Sequence, residues 1–435
     1  MNRFQIIVTI ASIFAAIAAL GFFALSGNNS GGGGVSATSL KIWGTESTTA
    51  LRPLFEKYER LTKTSIEYKE LNSSTFNSEI IEALASSDGP DAVITDIDWI
   101  RENKNKLASP VTQANMIAVF KDTYVDFVGS SLVLKKIDKT KEKPEEYIIS
   151  YPLWIDPIVL YWNKDIFNAE PIALPPNDWD EFIKISNKLR RTDAGGFIER
   201  AGAALGRAKN IPLHKKILSL LTLQRGANQQ TSLFNSNETK KHLESSLRFY
   251  TDFVNPDRYY TWNASLPEPR DYFAAGKLGM MLDYMSASES ISKKNSHLSF
   301  GVVRAPQPSA SEIPIHTANI IGISVFKVSK KAPAAFVFAT WLSGIDAGRD
   351  LAVSQNVAPA RRDLLRDKLI VAKPFFQIIK EESLNARYLQ DTYPSASAEI
   401  IFDMIENVAD GQQTITEAIN EAVRKMDRFE AANKQ

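Results

Sequence analysis

The sequence contains no cysteine. A chain without thiols can hold no disulfide, thiolate nucleophile, cysteine–zinc site or lipid-modified cysteine, and it fits an oxidising or a reducing compartment equally. Histidine is nearly as scarce. His214, His242, His297 and His316 stand far apart, with neither HExxH nor another paired spacing, which argues against a zinc hydrolase. Excess charge is missing too: 51 Lys and Arg against 50 Asp and Glu leave a formal +1. That balance gives no general grip on nucleic acid or anionic lipid. Gly202-Ala203-Ala204-Leu205-Gly206 is glycine-bearing, but no Gly-Lys-Ser/Thr follows it, and neither GxGxxG nor a Gly-x-Ser-x-Gly elbow occurs. The residues therefore call for no cofactor and no metal.

What is present is a long, ordinary globular composition behind an unusual start. At 435 residues, with 44% hydrophobic and 23% charged side chains, the chain exceeds what one core usually serves, so two lobes are expected. Phe4 to Ser26 is uncharged and rich in Ile, Ala, Phe and Leu. As a helix it would reach roughly 34 Å, enough for a bilayer core of roughly 30 Å. Residues 1–26 thus read as a transmembrane anchor, with Ala24-Leu25-Ser26 leaving a cleaved signal peptide open. Arg3 favours a cytoplasmic N-terminus and an exported body. The Gly/Ser-rich stretch 27–37 then serves as a flexible tether.

From residue 38 the pattern alternates strands and helices. Ser39 to Trp43 alternates polar and apolar residues as a strand, and Leu51, Leu54, Phe55, Tyr58 and Leu61 recur at helical spacing. A second strand at Ile66–Tyr68, a helix over 76–85 and a third strand at Asp91–Thr95 complete an α/β pattern with a mostly parallel sheet. Another unit begins after Tyr151-Pro152-Leu153, with Val159-Leu160-Tyr161-Trp162 as its strand. Asp178 there is a candidate N-cap for a helix over 179–189. In such sheets the ligand crevice lies beyond the carboxyl ends of the strands. This directs attention to Trp43 through Glu46 and to Asp96 through Trp99.

Asp91, Asp96 and Asp98 cluster at one strand end, as a glycosidase's carboxylates could. Asp98 also fits a helix N-cap, and Asp96 fits an acceptor for a hydroxyl-rich ligand. Six of the seven Trp stand at element edges, and an indole face suits the C–H face of a sugar ring as well as it suits ordinary packing. Trp43, at a strand end, and Trp262, in Tyr260-Thr261-Trp262-Asn263, are the better candidates.

Several segments in order give the chain a family resemblance. They are Leu40-Lys41-Ile42-Trp43-Gly44, Pro53-Leu54-Phe55-Glu56-Lys57-Tyr58, Gly89-Pro90-Asp91-Ala92-Val93, Tyr151-Pro152-Leu153, Val159 to Lys164, Pro176 to Phe182, Phe273 to Lys277 with Met280-Met281, and Pro359 to Asp363. The chain resembles the family 1 extracellular solute-binding proteins of ABC importers, the group that includes maltose-binding protein. That resemblance implies a two-lobed periplasmic-binding-protein-like fold with a hinge near Asp156-Pro157. It further implies a first lobe of 38–152 plus 270–325 and a second of 157–268 plus 330–435. Trp43, Glu46, Thr75, Asp96, Trp154, Asp156, Trp262, Tyr284, Asn319 and Arg361 would line the cleft between them. The expected protein is a non-enzymatic monomer on the extracytoplasmic face. It would close on a mono- or oligosaccharide and deliver it to ABC transporter permease subunits. A phosphodiester, polyamine or peptide ligand, a glycosidase-like activity and a receptor without an importer remain alternatives. Trp162 stands where many members carry Tyr, and the lipobox cysteine is missing, which makes a retained N-terminal helix the more attractive anchor.

Overall fold

The strand Tyr151–Asn163 runs through both halves of the molecule. The computed structural model describes residues 39–86, 88–109, 114–136, 144–229, 231–234, 237–309 and 313–433. Its strands are β1 (Ser39–Gly44), β2 (Ser65–Glu70), β3 (Ala92–Asp96), β4 (Val133–Lys136), β5 (Glu145–Ile148), β6 (Tyr151–Asn163), β7 (Arg191–Thr192), β8 (Ile198–Ala203), β9 (Leu278–Tyr284), β10 (Phe300–Arg304), β11 (Ala318–Val325) and β12 (Ala358–Pro359). All but the β4–β5 hairpin join in one continuous order, β2-β1-β3-β11-β6-β9-β8-β7, with β10 and β12 also on β6.

The first lobe forms around β1, whose Leu40 and Ile42 are buried while Ser39 and Lys41 are less so. β1 pairs in parallel with β2 and β3, as the alternating sequence predicts. The antiparallel β11 then inserts between β3 and β6. Helix Thr48–Thr62 buries Leu51, Leu54, Phe55 and Tyr58, the i, i+3, i+4, i+7 stripe of an amphipathic helix. Against it lies Phe338 of helix Ala332–Leu342, edge-on to Tyr58 at 4.9 Å. Each such fully buried side chain contributes about 1.5–3 kcal/mol.

In the second lobe, Ile158 to Trp162 of β6 pair antiparallel with β9, and Val159 to Asn163 with β10. β8 lies parallel to β9. Helix Trp179–Leu189 covers this sheet and begins where expected, with the Asp178 side chain accepting from the Glu181 N–H at 2.8 Å.

Strand pairing draws the lobes differently from the expected boundaries. The expectation assigned 270–325 to the first lobe, but β9 and β10 belong to the second-lobe sheet, and the chain returns only with β11. Helices Ala332–Leu342 and Ile345–Gln355, expected in the second lobe, pack on β11 and on helix Thr48–Thr62 in the first. The second lobe is regained through helices Pro394–Ala409 and Ile415–Asn433, which pack on helices His214–Gln224 and Asn237–Thr251. An apolar, fully buried strand such as β9 fits the interior of either sheet, so its composition does not choose one. The expected anchor (1–26) and tether (27–37) lie outside the described residues. Among the described residues no helix is long and apolar enough to cross a membrane.

Candidate functional site

Four acidic or phenolic side chains, beyond β1, at the ends of β3 and β9 and on β6, lie near enough for their charges to act on one another. Beyond β1, Gly44 lies so near β3 that an added Cβ would stand 2.6 Å from the Ile94 carbonyl oxygen. The following turn is held by the Tyr68 hydroxyl, which donates to the Glu46 carbonyl at 2.7 Å. Asp96 ends β3, and its side chain accepts from the Trp99 N–H at 3.0 Å, capping helix Ile97–Glu102. Asp96 is therefore the cap that the sequence reading gave to Asp98. Asp156 sits on β6 at the passage between lobes, 6% exposed, accepting from the Ser286 N–H at 3.0 Å. Backbone bonds hold this passage on both sides: Ile158 N–H to the Thr317 carbonyl at 3.0 Å and Met285 N–H to the Pro157 carbonyl at 2.9 Å. Tyr284 closes β9, its carbonyl accepting from the Tyr161 hydroxyl at 2.8 Å.

The electrostatics tie these groups together. Burial, then the charges of Asp156 and Asp96, push the Glu46 carboxyl up to about 7. Burial likewise raises Asp156 to about 6, opposed by its bonds to Ser286. Asp96 is raised by burial and by Asp98, and Tyr284 by burial and by Asp98, Asp96 and Asp156. Asp283, beside them, is matched by Arg270 at 2.5 Å. Among the described residues none of Glu46, Asp96 and Asp156 has a cation within ion-pair distance.

Asp98 instead spans the lobes. Lys216 of the second lobe lies 2.8 Å from its Oδ2, and the Tyr388 hydroxyl donates to its Oδ1 at 3.0 Å. Burial would raise the Asp98 carboxyl, but Lys216 and Lys215 overcome it and hold Asp98 charged well below the usual range. Nearby, the Ser395 hydroxyl donates to Glu102 at 2.5 Å across the same boundary.

Of the residues the sequence proposed, Glu46, Asp96, Asp156 and Tyr284 come together, and Asn319 is the register partner of Asp156. Trp43 is half-buried with the Lys69 ammonium 4.3 Å over its ring. Thr75 is exposed and donates to Glu79 at 2.8 Å. Three are corrected. Trp262 is 0% exposed in the second-lobe core, its indole N–H on Asn210 at 3.1 Å, so it offers no face to a ligand. Trp154 is 3% exposed in the first-lobe core. Arg361 is spent on a two-pronged pair with Asp363 at 3.0 and 2.8 Å. Missed were Lys216, Tyr388 and Ser286. The Lys215-Lys216 doublet was visible, but its partner lies 118 residues away. Among the described residues no group of three or more His, Asp or Glu is placed to hold a metal ion.

The chain matches the bacterial extracellular solute-binding protein family over residues 43–348, well over half its length. It belongs to that family. Solved structures share the fold at low identity. An ABC substrate-binding protein from Listeria monocytogenes in complex with cycloalternan is 16% identical with a TM-score of 0.72, covering 91% of this chain and 100% of its own. An ABC transporter solute-binding protein from Thermotoga lettingae bound with alpha-D-tagatose is 19% identical with a TM-score of 0.71, covering 90% and 99%. The maltose/maltodextrin-binding domain from Bdellovibrio bacteriovorus bound to maltotriose is 14% identical with a TM-score of 0.69, covering 90% and 99%. In this solute-binding protein the acidic cluster lies beside the passage of β6 between the two lobes.

Proposed function

We propose that the protein captures a saccharide between its lobes and delivers it, chemically unchanged, to the permease of an ABC importer. The observation that carries this reading is the convergence of Glu46 and Asp96 from the first lobe with Asp156 at the crossover and Tyr284 from the second. Carboxylates and a phenol suit hydroxyl groups as acceptors and donor, and a ligand touching both lobes stabilises the closed form by its differential affinity. The sugars held by the three fold neighbours support the same class. Phe4–Ser26 anchors the protein on the extracytoplasmic face, the glycine-rich stretch gives it reach, and it acts as a monomer. The carboxylates act as binding groups, without bond cleavage.

A saccharide panel read by tryptophan fluorescence and melting temperature tests this. One class should shift both signals, and prolonged incubation with that sugar should yield no product. Folded protein indifferent to every saccharide would overturn the reading. That none of Glu46, Asp96 and Asp156 has an ion-pair partner among the described residues favours a second reading, a cationic solute such as a polyamine. Spermidine producing the shift that sugars do not would decide for it.

A further inference from the structure

Tyr388 stands between two spaces at the lobe boundary. The smaller, of ≈ 30 Å³, holds Asp98, Lys215 and Lys216. The other is a groove of ≈ 810 Å³, walled by Arg101, Lys104 and Lys135 from the first lobe and by Tyr388 and Gln390 from the second. None of Glu46, Asp96, Asp156 or Tyr284 lines it. Its volume falls within the roughly 300–1,000 Å³ of small-molecule sites.

The charges in the groove are unequal in a specific way. Three carboxylates reach it, and each already has a cation: Glu146 has Lys121 at 2.6 Å, Asp126 has Arg362 at 2.5 Å and Asp391 has Lys215 at 2.8 Å. Arg101, Lys104 and Lys135 have no carboxylate partner among the described residues. Arg101 gives one N–H to the Ser131 carbonyl at 2.8 Å and lies 5.4 Å from the Tyr388 ring, which leaves most of its donors unspent. Burial and the neighbouring Arg101 hold the Lys104 ammonium below its usual value. An anion entering here would relieve that crowding and gain charge-assisted hydrogen bonds. A monocarboxylate offers one charge and two oxygens to three cations, whereas a sulfate ester offers three oxygens and a phosphate ester adds a second negative charge at neutral pH.

We propose that this interlobe groove is a second binding site, for a phosphorylated or sulfated small molecule held by Arg101, Lys104 and Lys135. Because both lobes wall the groove, an occupant fits one interlobe geometry best and stabilises it.

The test is calorimetric titration of the full chain with inorganic pyrophosphate and, separately, with glucose 6-phosphate, against sodium chloride at matched ionic strength. Saturable binding of either phosphate, weakened at least tenfold in Lys104→Gln/Lys135→Gln, is expected. Pyrophosphate alone sufficing would mark the oxyanion as what is recognised, and a response to the ester alone would add the sugar. Among the described residues neither lysine side chain makes a hydrogen bond, so matched melting temperatures will show the variant folded. No saturable heat with either probe, or undiminished binding in the variant, would overturn the proposal. Saccharide binding in the acidic cleft is measured independently and can succeed or fail without altering this result.

Discussion

The ammonium of Lys216 lies 2.8 Å from a carboxylate oxygen of Asp98, and the two residues belong to different lobes. Their side chains are 16% and 22% exposed, so water screens the pair only partly. Together with the Tyr388 hydroxyl on the same carboxylate, the pair holds the lobes to each other through protein groups alone. Replacing Asp98 by Asn keeps the shape but removes the charge that Lys216 answers. The lobe contact should weaken by about 1–3 kcal/mol, and small-angle scattering of the ligand-free variant should give a larger radius of gyration. Superimposable curves for variant and wild type would refute the latch.

Glu46 predicts the direction of a pH effect. Its folded value of about 7 stands above the ordinary 4.5, and Asp156 at about 6 stands above 3.8. The native state therefore binds these protons more tightly than the unfolded chain does. Their stabilising contribution is full below the ordinary values and is lost as pH rises through 6 to 7. Melting temperature should fall between pH 5 and pH 8, and the fall should be shallower in Glu46→Gln, which stays neutral throughout. Equal slopes in the two proteins would show that Glu46 is not the titrating group.

These two features differ in how far the sequence announced them. Glu46, Asp96 and Asp156 follow strand ends or a crossover, and strand ends are visible as alternation closing on polar residues. The Asp98 pairing is not visible, because it is made by folding two lobes together and leaves no local pattern. Trp262 shows the opposite failure. Its polar neighbours Thr261 and Asn263 suggest a surface loop, yet Thr261 donates to the buried Ala203 carbonyl at 3.0 Å and the indole finds Asn210. A polar residue in sequence can be a buried hydrogen-bond partner in space, and local composition does not distinguish the two. Helix positions were the most legible, since Asp178 and the Leu51–Tyr58 stripe are local signals.

His316 and Glu382 make a pair buried to 1% and 0% exposure, with Nδ1 2.6 Å from Oε2. The pair ties the approach to β11 to the end of helix Phe376–Leu384, where the Arg387 N–H also reaches the His316 carbonyl at 2.8 Å. Burial raises the Glu382 carboxyl, while its bond to His316 opposes the shift. Glu382→Ala breaks the buried pair and leaves the imidazole only the longer 3.4 Å contact with Gln307 Nε2, which should cost about 3–5 kcal/mol. Urea unfolding measures it, and a loss under about 1 kcal/mol would contradict a coupled pair.

Gly202 bears on the segment that resembled a phosphate loop. A Cβ built on it would stand 1.8 Å from the Ser186 carbonyl oxygen and 2.5 Å from the Ser186 carbonyl carbon. Both contacts are backbone atoms of the helix that covers β8, so no side chain can move aside. The glycine is there to bring that helix onto the sheet, and Gly202→Ala must push it away. Gly276 supplies the control: it sits at φ +73° with nothing within 4 Å of an added Cβ, so alanine there meets only backbone strain of about 1 kcal/mol. Gly202→Ala should lose about 3 kcal/mol or fail to fold, well beyond Gly276→Ala, in chemical unfolding of the two purified variants. If the two variants unfold at the same denaturant concentration, close packing does not account for Gly202, and the helix is held to β8 less closely than these distances require.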